Sequence, residues 1–92
     1  LLKLAYLRDS GRLCEPAGLH SRHPRIRSIL DIGCGGGEFL SALAGEGRSL
    51  LGVEPDPQAR QAASARGIAV VEGTAEALPA DVRDARFDLI LL

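Results

Sequence analysis

The hydrophobic positions of this chain fall into short, unbroken runs separated by glycine, proline and charge. Residues 29–32 are apolar except for Asp31, residues 49–53 read SLLGV, 68–71 read IAVV and 87–92 read FDLILL. Runs of this kind lack polar alternation and predict strands buried on both faces, as in a parallel sheet. Between them the spacing changes. Phe39, Leu40, Leu43 and Ala44 mark one apolar face and predict a helix over 38–44, which Gly45 and Gly47 end. A second helix is predicted within 55–66, with Asp56 as N-cap and Pro57 as the first helical residue. Its alanines let it lie close to the sheet, and Gly67 closes it. Residues 73–79 read as a loop and 80–85 as a single helical turn. At the start, Leu1, Leu4, Ala5, Tyr6 and Leu7 stand at near-helical spacing and predict a helix over 1–8 that packs on the sheet. Residues 9–27, with Gly11, Pro16, Gly18 and Pro24, read as a loop.

Strands alternating with helices argue for βαβ units. Right-handed crossovers then order the four predicted strands 3-2-1-4, a doubly wound α/β arrangement in three layers, α/β/α. Residues 1–27 would precede this fold. The sequence contains no Met and finishes inside an apolar strand pattern, so residues 28–92 read as the N-terminal half of a larger domain, cut after its fourth strand. That strand is expected to be an exposed apolar edge that favours self-association.

Composition narrows the partners. A net charge of −1 over 92 residues gives no electrostatic reason to propose nucleic acid or an anionic membrane. No run approaches the roughly 20 apolar residues of a membrane span. Two cysteines, Cys14 and Cys34, are too few for a disulfide framework and have no metal-ligand spacing, so the compartment reads as reducing and cytoplasmic, and no metal is expected. His20 and His23 read as surface residues of the basic loop.

The candidate chemistry gathers after the first predicted strand. Gly33, Gly35, Gly36 and Gly37 fall within five residues, directly before a helix. Such glycines can adopt φ > 0 and expose backbone N–H groups with no Cβ in the way. Each costs about 0.5–1 kcal/mol relative to Ala in regular structure, more than a plain turn requires. A dinucleotide would want G-x-G-x-x-G/A, but the third position holds Glu38, a carboxylate that would face a pyrophosphate at the helix N-terminus. Asp31 lies within an apolar run, where a carboxylate must pair with turn amides or with a ligand cation. Glu54 closes the second predicted strand, 21 residues after Gly33, where a carboxylate can accept bonds from both hydroxyls of a ribose. A solvated strand-end acid is the plainer alternative.

The run from Leu30 to Gly37 resembles motif I, D-x-G-x-G-x-G, of the class I S-adenosylmethionine-dependent methyltransferases. The resemblance continues in register. Leu51–Pro57 is similar to that family's second-strand motif with its terminal acid, Glu72–Pro79 to its third motif and Phe87–Ile90 to its fourth-strand motif. The resemblance implies a Rossmann-like fold, S-adenosyl-L-methionine as cofactor and methyl transfer to a small-molecule acceptor. It also implies a cofactor site. Gly33, Cys34, Gly35 and Gly37 would run beneath the cofactor, and Asp31 would help hold its methionine amino group. Glu54 and Pro55 would meet the ribose, and Thr74, Ala75 and Glu76 the adenine edge. Related enzymes often carry Asp where this chain has Thr74, and Glu76 also reads as a solvated loop charge. Cys34 reads as a small turn residue facing the strand, and Arg60 and Arg66 as the solvated side of the second helix. No catalytic base is recognisable. Two other readings stay open, a NAD(P)-dependent oxidoreductase and a non-catalytic fragment that keeps the fold.

Overall fold

The computed structural model describes residues 5–7, 12–14, 26–45 and 47–92. Its elements in chain order are β1 (Ala5–Leu7), β2 (Arg12–Cys14), β3 (Ser28–Ile32), α1 (Glu38–Ala42), β4 (Ser49–Val53), α2 (Pro57–Ala65), β5 (Ala69–Val71), α3 (Ala80–Arg83) and β6 (Leu89–Leu91). The four strands expected from the apolar runs are β3, β4, β5 and β6. They pair in parallel, in the order β6-β3-β4-β5, which is the expected doubly wound order.

The two faces of the sheet carry separate cores. Ile29, Leu89 and Leu91 pack with Leu40 of α1 and Ala63 of α2 on one face. Leu30 and Val53 pack with Val82 of α3 on the other. Side chains alternate across a strand, so successive residues of β3 feed opposite cores, and the continuous apolar run follows from helices on both sides. These are the three layers. Leu40 is fully buried, which contributes about 1.5–3 kcal/mol relative to an exposed side chain.

The start of the chain differs from its expectation. Ala5–Leu7 is a strand, not a helix, and it pairs antiparallel with β6, Ala5 facing Leu91 and Leu7 facing Leu89. Ala5 is fully buried and Tyr6 exposed, the in-and-out alternation of a strand. A short apolar run fits either period, and the unpaired edge of β6 decides between them. Within the expected loop, Arg12–Cys14 forms β2, antiparallel to β1. The fourth predicted strand is therefore internal, and the expected self-association through its edge loses its basis: β1 supplies the missing ladder. His20 and His23 lie outside the described residues.

The lower end of the sheet is locked by Asp88. Its carboxylate accepts from the amides of Arg27 (2.8 Å) and Ser28 (3.2 Å), and its own amide donates to the backbone oxygen and the hydroxyl of Ser28 at 3.0 Å each. The acid of the fourth-strand motif thus joins the beginnings of β3 and β6, at the end of the sheet opposite the glycine turn.

Candidate cofactor-binding site

The site is built where β3, β4 and β5 end. Leaving β3, the chain turns through Gly33, Gly35 and Gly37, with φ of 78°, 56° and 80°, so every second residue is left-handed. The turn leans over β4. The amides of Gly33 and Cys34 both donate to the carbonyl of Val53, at 2.7 and 3.1 Å, and the Gly37 amide donates to Cys34 O at 3.1 Å. The Gly35 amide donates to Glu54 Oε1 at 2.8 Å, while Glu54 Oε2 accepts from the Asp56 amide at 2.9 Å. The Glu54 amide in turn donates to Val71 O at the end of β5.

This corrects one expectation about the glycines. The amides of Gly33, Cys34, Gly35 and Gly37 are already bonded within the protein, so the turn contributes shape and room more than donors. The room is unequal. A Cβ built on Gly33 or Gly35 would meet nothing within 4 Å, which makes these two an open ledge. A Cβ on Gly37 would lie 3.2 Å from Ala63 Cβ and 3.3 Å from Ile68 Cγ1, so Gly37 lets α2 and the residue leading into β5 close against the turn. Cys34 is buried and faces the sheet, as expected. It fits because Gly52 lies opposite, where a Cβ would stand 2.5 Å from its Sγ.

Asp31 is fully buried near the end of β3, in register between Gly52 of β4 and Leu91 of β6. Glu38, in the first turn of α1, forms an ion pair with Arg66 at 3.7 Å. Pro55 is exposed beside Glu54. Thr74 folds into its own loop: its hydroxyl accepts from the Ala77 amide at 3.1 Å, and Thr74 and Ala77 form an isolated antiparallel bridge. Ala75 and Glu76 are the exposed tip of that loop. Gly73 holds the loop close to the site, for a Cβ there would lie 3.0 Å from both Val53 Cγ1 and Pro79 Cδ.

One residue is placed differently from its expectation. Arg60 is not on a solvated face. Its side chain is 23% exposed, and its Nη1 donates to the carbonyls of Glu54 (2.9 Å) and Pro55 (2.7 Å). Its helical position was legible, but the direction of the side chain depends on where the end of β4 lies, which periodicity does not carry.

The residues present suit a nucleoside with an amino-acid tail. A carboxylate has four lone-pair positions, and Glu54 uses two, leaving acceptors for a pair of hydroxyls. The ledge at Gly33 and Gly35 leaves room for a ligand to run alongside. A groove of about 400 Å³ lined by Ser41, Arg48, Leu50, Arg66 and Ala69 lies at the other end of β4 and β5, away from this site.

Comparison with known proteins agrees with the geometry. The family described as "Methyltransferase domain" matches residues 30–92, and the chain belongs to this class I S-adenosylmethionine-dependent methyltransferase family. Members of the family use S-adenosylmethionine as methyl donor. The chain is 34% identical over 85 residues to a ubiquinone biosynthesis O-methyltransferase of Rhizobium etli, which covers 89% of this chain and 31% of that protein. It is 32% identical over 97 residues to the protein of the same name in Methylobacterium nodulans, covering 98% of this chain and 38% of that one. An uncharacterized methyltransferase of Mycobacterium bovis is 46% identical over 44 residues, 48% of this chain and 17% of that protein. The chain thus spans about a third of the length of the two O-methyltransferases. Among the described residues, no helix is long and apolar enough to cross a membrane.

Proposed function

We propose that the protein transfers a methyl group from S-adenosylmethionine to a small-molecule acceptor, and that residues 28–92 form the cofactor-holding half of the domain. The observation that carries this reading is the Glu54 carboxylate, fixed at the end of β4 by the Gly35 and Asp56 amides and facing an open glycine ledge. When bound, the cofactor supplies a methyl group on a positively charged sulfur. The chain's own task is placement. Glu54 would accept the ribose hydroxyls, with Pro55 beside it. Asp31 would set a negative charge below the methionine amino group. Gly33 and Gly35 would leave room for the tail, Cys34 and Gly37 would hold the turn's shape, and Thr74, Ala75 and Glu76 would border the adenine. Methyl transfer is an in-line displacement in which alignment does most of the work, so the cofactor-holding residues are recognisable without the base that would take the acceptor's proton. The two O-methyltransferases among the relatives support a hydroxyl as acceptor. A cytoplasmic setting belongs to the same reading, supported by the buried Cys34, which packs as a thiol against Gly52.

Calorimetric titration tests it. S-adenosylmethionine and S-adenosylhomocysteine are expected to bind and NAD to bind more weakly than either. Tighter binding of NAD would sink the reading in favour of an oxidoreductase, and no binding by any of the three would favour a non-catalytic fragment. Glu54→Ala is expected to weaken S-adenosylhomocysteine binding at least tenfold, since hydrogen bonds to charged groups contribute about 1.5–3 kcal/mol.

A further inference from the structure

We propose that Arg60 is a positioning residue for the ribose contact: it fixes the direction of the Glu54 carboxylate by clamping the successive carbonyls of Glu54 and Pro55. The inference rests on the cofactor reading above and goes beyond it in assigning a residue of α2 to ribose recognition.

Nη1 of Arg60 lies 2.9 Å from Glu54 O and 2.7 Å from Pro55 O, so one nitrogen holds two successive carbonyls. Charged donors give short, strong bonds, and a pair converging on one nitrogen restricts ψ at both residues. Proline already fixes φ at position 55. The backbone that carries the Glu54 side chain is therefore held from below by Arg60, while its carboxylate is held from above by the Gly35 and Asp56 amides. Both ends of the side chain are fixed, and its remaining lone pairs have one direction. Arg60 is itself placed by α2: Asp56 caps that helix through the Ala59 amide at 3.2 Å, and the Arg60 amide donates to Asp56 O at 3.0 Å. Nη2 reaches Glu72 Oε2 at 3.9 Å, beyond the end of β5, with the Glu72 side chain 71% exposed. An exposed pair at that distance contributes little, so the carbonyl clamp and not the ion pair is the operative contact. A lysine would supply a charge here but not the same rigid, planar fork.

The test separates ribose positioning from general bracing. Arg60→Met keeps the aliphatic stem and removes the donors; Arg60→Lys restores a charge. Affinities of the full chain for S-adenosylhomocysteine and for its 2′,3′-dideoxy analogue are measured by calorimetry, with thermal melts of each variant. Arg60→Met is expected to lower affinity for S-adenosylhomocysteine about tenfold while leaving the dideoxy analogue within twofold of wild type, and Arg60→Lys to recover part of the loss. Glu72→Gln is expected to change neither affinity beyond twofold. Equal losses for both compounds in Arg60→Met, or none, would overturn the assignment while leaving the cofactor reading intact. If Arg60→Met does not fold, the same comparison on Arg60→Lys decides, since a brace alone predicts parallel losses. Wild-type chain that binds neither compound overturns both readings together.

Discussion

Glu54 and the glycines around it show how much a single position can carry. Both carboxylate oxygens of Glu54 accept backbone amides. Glu54→Gln would turn an NH₂ toward one of those amides, donor against donor, so it is expected to destabilise the chain as well as weaken cofactor binding. A urea melt is expected to show a loss of about 1–3 kcal/mol, the cost of an unsatisfied donor, where a purely solvated acid would show none. Gly35 and Gly37 are expected to separate by the same logic. Both have positive φ, so Ala costs about 1–2 kcal/mol of backbone strain at either. Only at 37 does it also press on Ala63 and Ile68. Gly37→Ala should therefore lose more stability, and Gly35→Ala more affinity per unit of stability lost; melts paired with S-adenosylhomocysteine titrations check both. The placement of Asp31 within β3 and of Glu54 at the end of β4 was legible because each carboxylate stands inside or at the end of an apolar run. The inward turn of the Arg60 side chain was not, because a basic residue at a helical position reads equally well as solvated.

Elements were legible where chemistry marks their ends. The start of α2 is the clearest case: Asp56 and Pro57 predicted the cap, and the Ala59 amide does donate to Asp56 Oδ2. Asp56→Ala is expected to cost about 1 kcal/mol in a denaturant melt, with the cofactor affinity falling too because α2 carries Arg60. The other helix, α1, is shorter than its apolar spacing suggested. It ends at Ala42, with Leu43 at φ −95° and ψ 0°, and left-handed Gly45 and Gly47 follow. The strand at 5–7 was misread because three residues contain too little of either period to choose. What chose was outside the segment: the ladder of β6 needed a partner, and burial of Ala5 against Leu91 rewarded the extended form. Ala5→Asp places a charge in that buried position. It is expected to detach β1, expose the β6 edge and produce concentration-dependent association by light scattering.

For the molecule as a whole, the crossover rule was sufficient to order β3 to β6, because each parallel connection has one permitted hand. The site then falls where that rule places it, at the strand ends beside the point at which the chain crosses from the α1–α2 face to the α3 face. The two faces are covered unequally. Among the described residues, one has two helices and the other the single turn of α3, and Ile32, Leu51, Val71, Phe87 and Ile90 are partly buried there. A ligand that bridges the ends of β3, β4 and β5 should stabilise the whole sheet. Saturation with S-adenosylhomocysteine at a hundredfold excess over Kd is expected to add about 2.7 kcal/mol and raise the melting temperature, and NAD at the same concentration to add less.

The lock at Asp88 bears on the order in which this chain can assemble. Gly35 meets Glu54 across 19 positions of sequence, whereas Asp88 meets Ser28 across 60. Closing the longer loop costs about 1 kcal/mol more in chain entropy. During synthesis, β3, α1, β4 and α2 can come together around the glycine turn while residue 88 is still to be made. Strand β1 can pair with β2 early but must wait longest to join the sheet, since the partner of Ala5 in β6 is Leu91. Made before β3 yet docked after it, the β1–β2 hairpin would leave the β1 amides that face β6 open to hydrogen exchange well after those of β3 and β4 are protected.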